Sequence, residues 1–150
     1  MSFKSRKVLC ICAVAALLCF IWGNSMLPGQ ESGQISGGLL QWLGQTFPFL
    51  RGMPELLLRK LGHFLEFAAL GFFLCWLLRL GGQRGIHRVS APMFLGMLAA
   101  NIDETIQVFR PGRGPSVIDV WIDVAGVSAG IAVFFLLRRI HTRIQKGKQK

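Results

Sequence analysis

Four stretches of this chain are too long and too apolar for the helices of a soluble core. They run over residues 8–27, 61–80, 89–108 and 117–137. A helix that crosses a bilayer needs about 20 mostly apolar residues, each adding ~1.5 Å. The first block is the shortest: Val8 to Trp22 is apolar, and it reaches Leu27 only if Gly23-Asn24-Ser25 is accommodated. Charged residues make up 16% of the chain, where a soluble domain carries about 25%. No repeat, low-complexity tract or Pro/Ser-rich linker divides residues 1–150. These features predict an all-α fold: one polytopic membrane helix bundle with about four transmembrane helices.

Basic residues set the expected orientation. Lys4, Arg6 and Lys7 precede the first block, and Arg79, Arg84 and Arg88 lie between the second and third. Arg138, Arg139, Arg143, Lys146, Lys148 and Lys150 form a basic tail over residues 138–150. Cytoplasmic loops are enriched in Lys and Arg, which puts these segments and both termini in the cytoplasm. All seven acids fall on the opposite side or in the outer halves of helices. The net charge of +10 is thus a topology signal. No motif of a nucleic-acid-binding module accompanies it, and no nucleic-acid partner is expected. Membrane lipids are the expected surroundings, and the tail is placed to touch anionic headgroups.

The N-terminus resembles a signal sequence, with basic residues before an apolar run of about 15. The small-x-small pattern is missing at Gly23, and Ala-Leu-Leu before Cys19 lacks the small residue of a lipidation site. An uncleaved anchor is therefore expected. Cleavage would leave three spans and an external N-terminus. Cys10, Cys12, Cys19 and Cys75 all lie in apolar blocks without a Cys-x-x-Cys pair, and are expected as free thiols. The segment from Asn24 to Arg59 is a long first outer loop. Its Leu39-Leu40-Gln41-Trp42-Leu43 and Phe47-Pro48-Phe49-Leu50 suit a position in the headgroup layer or over an outward-facing site.

Ionisable side chains inside the blocks carry the functional information. Each costs about 2.5–3.5 kcal/mol at a helix centre on insertion scales. Arg59, His63 and Glu66 are spaced i, i+4, i+7 and share an arc of roughly 60°, with Lys60 on the flank. Asp103 and Gln107 share a face of the third helix, and Glu104 lies about 100° away. Asp119, Asp123, Gly126 and Gly130 share a face of the fourth. Gly126-x-x-x-Gly130 is a close-packing pattern, so that face points inward. Glu66, Asp103 and Asp123 start roughly 7–9 Å below the outer boundary. Between the third and fourth helices, Arg110-Pro111-Gly112-Arg113-Gly114-Pro115 holds Arg113 near the mouth. There it could pair with Asp103 or grip an anion. Each feature alone is explained by structure: a His–Glu hydrogen bond, a packing glycine, a solvated end. Their convergence at one depth points to an outward-opening site.

The runs Arg59-Lys60-x-x-His63-x-x-Glu66-Phe67, Asp103-Glu104-x-x-Gln107-x-Phe109-x-Pro111-Gly112-Arg113 and Asp119-x-x-x-Asp123-x-x-Gly126-x-x-x-Gly130 resemble the VanZ-like family. Ser25-x-x-Pro28-Gly29, with Ser32 and Ser36, fits the same pattern. Asp123 departs from it, since the family often has Asn there. The resemblance implies a polytopic protein of the bacterial cell envelope, in the cytoplasmic membrane. The family takes its name from a member that raises resistance to teicoplanin, a lipid-anchored glycopeptide, without altering peptidoglycan precursors. It implies no reaction and no cofactor.

Two function classes follow. The first is binding of an anionic lipid-linked envelope ligand or a lipoglycopeptide. Arg59, Lys60 and Arg113 would contact phosphate or carboxylate, and Glu104, Gln107 and Asp119 complete the ligand-binding set, the acids ordering the cations and accepting hydrogen bonds from sugar or amide groups. The second is an outer-face enzyme acting on a lipid-linked envelope substrate. His63 would be its general acid or base, oriented by Glu66, with Asp103 and Asp123 sharing a proton. In a variant of this reading, His63, Glu66, Asp103 and Asp123 hold Zn²⁺ or Mn²⁺, although their spacing matches no established metal motif. A purely structural polar cluster is the third alternative.

Overall fold

A computed structural model describes residues 2–114 and 116–147, with the Phe49 side chain left aside. Pro115 of the outer hairpin and Lys148 and Lys150 of the basic tail lie outside the described residues. The described chain is all-helical: α1 Phe3–Ser25, α2 Gly29–Thr46, a 3-10 turn Pro48–Leu50, α3 Glu55–Leu80, α4 His87–Val108 and α5 Val117–Gly147.

The boundaries follow local chemistry. Ser2 caps α1 by accepting the Ser5 N–H at 3.1 Å. Pro28 and Pro54 stand immediately before α2 and α3, where a missing N–H costs nothing. Gly82, at φ 87°, turns the chain after α3. Pro92 lies inside α4 and cannot donate to the carbonyl four residues back. That carbonyl, Arg88 O, instead receives the Cys75 thiol of α3 at 3.6 Å.

Residue pairing fixes the helix directions. Phe64 and Ala68 of α3 lie against Gly126 and Gly130 of α5, so these two helices run parallel. Trp22 Nε1 donates to Ala99 O at 3.3 Å and Gln107 Nε2 to Ser25 Oγ at 3.2 Å, so α1 and α4 also run parallel. The pairs Cys75–Arg88 and His63–Asp103 set α3 antiparallel to α4. Thus α1 and α4 run one way, and α3 and α5 the other.

The glycines explain the tight α3–α5 contact. A Cβ on Gly126 would strike the Phe64 carbonyl, one on Gly130 the Ala68 carbonyl, and one on Gly71 the Val127 backbone. A Cβ on Gly96 of α4 would meet the Val127 side chain. Around Val127 sit Ile21, Phe67, Leu70, Ala100 and Ile131, which form the apolar core. The rest of the pattern is inverted relative to a soluble protein. Asp103 and Asp123 are 0% and 1% exposed, while Leu65, Phe94 and Trp121 are 64%, 67% and 63% exposed. Large apolar side chains outside and acids inside are what a lipid solvent selects.

Three helices, α1, α3 and α5, are long and apolar enough to cross a membrane. Helix α4 has 22 residues, or about 33 Å, but a larger share of its residues is polar than in the other three. The expected first outer loop is largely helical: residues 29–46 form α2. Its glycines argue against a helix by propensity. However, Ile35, Leu39 and Trp42 recur at helical spacing and make one exposed apolar stripe. The basic segment after residue 137 is helical through Gly147 as the continuation of α5, and its residues 139–147 are exposed. Cys10 and Cys75 are buried, Cys12 and Cys19 exposed, and all are free.

Candidate functional site

The polar residues converge at the end of the bundle where α1 and α4 finish and α5 begins. At the centre is His63. Its Nδ1 lies 3.9 Å from Asp103 Oδ2 and 3.8 Å from Asp123 Oδ1. Those distances are too long for direct hydrogen bonds. Three helices therefore contribute one group each: α3 the imidazole, α4 and α5 the carboxylates. His63 is 19% exposed, whereas both aspartate side chains are sealed.

Gln107, one turn beyond Asp103, donates to Asp103 Oδ2 at 2.9 Å and also reaches Ser25 Oγ at the end of α1. Among the described residues this leaves Asp103 Oδ1 and both oxygens of Asp123 buried without a hydrogen-bond partner. Glu66 Oε2 is likewise buried and unpartnered. The expected His63–Glu66 pair does not form among the described residues; the imidazole is directed at aspartates on two other helices instead. The Glu66 carboxylate folds back along its own helix, with Oε1 4.0 Å from where a Gly62 Cβ would sit.

Above this centre lies a polar rim. Lys60 Nζ meets Asp119 Oδ1 at 2.7 Å, joining α3 to the start of α5. Glu104 accepts the Ser116 N–H at 3.0 Å just ahead of α5. A carboxylate there also faces the positive end of the helix dipole. Arg59 faces the same space and has no salt-bridge partner among the described residues. Rim and centre enclose a cavity of about 20 Å³, bounded by Arg59, Lys60, His63, Asp123 and the apolar Leu56 and Ile122. That volume has room for about one water-sized occupant.

Arg113 takes a different place from the one expected. No carboxylate lies within ion-pair distance of it among the described residues, so the anticipated Asp103 pair is absent. It donates to Asn24 O at 3.1 Å, Leu27 O at 3.4 Å and Gln107 Oε1 at 3.5 Å. The two backbone carbonyls belong to the C-terminal end of α1, where acceptors have no helical partner. Burial and the like charge of Arg59 pull its guanidinium below its ordinary pKa, while Asp103 and Glu104 oppose that shift. An arginine stays protonated at neutral pH regardless.

The two Pro-Gly turns dock on each other. Gly29 N donates to Pro111 O at 3.0 Å, and a Cβ on Gly29 would strike the Gly112 carbonyl. Gly112 itself needs φ 73°, which favours glycine. The separate sequence runs around residues 25–29 and 107–113 are thus one structural unit. The contributions of the Asn24 and Leu27 carbonyls and of the Ser116 amide were invisible to side-chain reasoning, because each acts through its backbone.

The sequence profile of the VanZ/LLP1 family matches residues 8–138. That span includes every residue named at the site. No curated protein and no solved structure matches the chain.

Proposed function

This chain belongs to the VanZ/LLP1 family, and from that premise we propose that it is a four-span protein of the bacterial cytoplasmic membrane that binds an anionic, lipid-linked envelope ligand at the outer leaflet. Both termini are cytoplasmic. The parallel α3–α5 pair supports this count, since α4 must carry the chain back over the same distance. The basic ends and the Arg79–Arg88 turn then share one side, as the loop-charge rule requires. On this reading the exposed Ile35, Leu39 and Trp42 stripe of α2 lies in the outer headgroup layer, beside the site.

One observation carries the binding function. Arg59 stands at the cavity rim without a carboxylate partner among the described residues, next to a lysine held by Asp119. An unneutralised guanidinium at a membrane surface suits phosphate or carboxylate. The cavity is too small to swallow a headgroup, so the anion rests on the rim and the lipid chain remains in the bilayer. A lipoglycopeptide of the teicoplanin type, with its own lipid anchor, is the second candidate for this rim. Any resistance role would act through such binding.

The test is a binding titration in nanodiscs with a prenyl-diphosphate-linked sugar and, separately, a lipoglycopeptide. Arg59→Ala and Lys60→Ala should each weaken binding by roughly 10-fold, about 1.4 kcal/mol. Unchanged affinity in both variants rejects the proposal. The enzymatic alternative is supported by a different fact: His63 stands between two buried aspartates, where it could serve as acid or base. Turnover of the same ligand, lost in His63→Ala while binding persists, would favour it.

A further inference from the structure

The arrangement beneath the rim poses a charge problem. Two aspartates are 0% and 1% exposed, and three of their four oxygens have no hydrogen-bond partner among the described residues. Among the described residues no permanent cation pairs with either aspartate: Lys60 is held by Asp119 at 2.7 Å, Arg113 by the Asn24 and Leu27 carbonyls and the Gln107 side chain, and Arg59, at the rim, makes no ion pair with them. A single imidazole faces both carboxylates. Buried carboxylates persist where they hold a proton or where something of opposite charge compensates them, and the convergence of three donor residues here favours a cation.

We propose that His63, Asp103 and Asp123 form a binding site for one divalent transition-metal ion. One ligand atom from each residue lies within 4.8 Å of the other two. Around an ion with bonds of about 2.0–2.2 Å, adjacent tetrahedral ligand atoms stand ~3.4 Å apart. The observed His63–Asp103 and His63–Asp123 separations of 3.9 and 3.8 Å need to close by about half an ångström, and the Asp103–Asp123 separation, within 4.8 Å, by up to about 1.4 Å. That is a rotamer adjustment within a fixed helix frame. Two aspartates and a neutral imidazole with M²⁺ make a site of zero net charge, which removes the cost of burial. The unpartnered oxygens of Asp123 and Oδ1 of Asp103 supply free lone pairs for it.

The donor set selects the ion. One nitrogen with two carboxylates suits Zn²⁺ or Mn²⁺, whereas Ca²⁺ and Mg²⁺ prefer all-oxygen shells. Three protein ligands leave a coordination position open. His63 and Asp123 both border the cavity, whose volume of about 20 Å³ holds one water there. Gln107 fixes Asp103 through its 2.9 Å hydrogen bond, as an outer partner of a metal ligand does. The site rests on its own geometry and does not require the anion-binding reading. If that reading also holds, an anion on Arg59 and Lys60 lies beside the open position.

The experiment uses untagged full-length protein in detergent micelles, stripped with chelator and then dialysed against buffered Zn²⁺, Mn²⁺ or Co²⁺ without any anionic lipid. Elemental analysis should give about one ion per chain, and Co²⁺ should show the visible d–d bands of a site with nitrogen and oxygen donors. Loss of an outer partner alone costs 10–100-fold in metal affinity. His63→Ala, Asp103→Asn and Asp123→Asn should therefore each weaken binding by more than about 100-fold. Glu55→Gln, an exposed acid in the first turn of α3, should retain it. The two asparagine variants are near-isosteric, and their gel-filtration profile and helical circular dichroism verify folding. Less than one tenth of an ion per wild-type chain with all three metals overturns the proposal. So does an affinity that the three variants leave unchanged. Because no anion is present, either outcome leaves the anion-binding reading standing. Anion binding by chelator-stripped protein tests that reading separately.

Discussion

Gly130→Ala offers a direct probe of the frame that brings the polar groups together. A methyl at this position strikes the Ala68 carbonyl and approaches the Phe72 amide nitrogen to 2.9 Å. Both neighbours are backbone of α3, so no side chain can rotate away, and relief requires the helices to part. Overpacking of this kind costs typically about 1–3 kcal/mol. Gly23 of α1 is the matched control, since a Cβ there meets nothing within 4 Å. The gain in helix propensity from Gly to Ala, up to about 1 kcal/mol, is common to both and cancels in the comparison. Gly130→Ala should therefore fall about 1–3 kcal/mol below Gly23→Ala. For a chain of this size that is roughly 2–12 °C in Tm. Thermal unfolding of both variants in one detergent, read by circular dichroism and by loss of the monodisperse gel-filtration peak, measures the gap. Equal midpoints would refute the inference that α3 and α5 touch backbone to backbone at this glycine.

Two other outcomes follow from the same geometry. Cys75→Ala removes the thiol that donates to Arg88 O and should lower stability by about 1 kcal/mol. Adding Pro92→Ala restores a backbone donor to that carbonyl and should recover most of the loss in the same melts. In a background lacking the native cysteines, Gly114→Cys should react with a membrane-impermeant maleimide on intact cells. Gln83→Cys should react only after permeabilisation, and the reverse pattern would invert the proposed orientation.

Much of this arrangement was legible in the residues themselves. Uninterrupted apolar length marked α1, α3 and α5. Gly126 and Gly130 named the packing face, because a small-x-x-x-small pattern has few other uses in an apolar helix. Asp103 and Gln107 pair as i, i+4 neighbours should. Where the reading departed, proximity in sequence competed with proximity in space. Glu66 lies one turn from His63, yet the imidazole turns to aspartates 40 and 60 positions away. Those partners depend on how α3, α4 and α5 cross, which no single helix encodes. Arg113 was read as a partner for a carboxylate or an anion because side chains are visible in a sequence and free helix-end carbonyls are not. Helix α2 was hidden by its glycines, and only the spacing of Ile35, Leu39 and Trp42 hints at it.

The account turns on His63 and Asp123 sharing one buried site, and a double-mutant cycle measures that coupling. His63→Ala, Asp123→Ala and the double variant would be unfolded in the same detergent. At a separation of 3.8 Å, the double variant should differ from the sum of the singles by about 1 kcal/mol or more. Additivity within about 0.5 kcal/mol, the behaviour of independent residues, would contradict it.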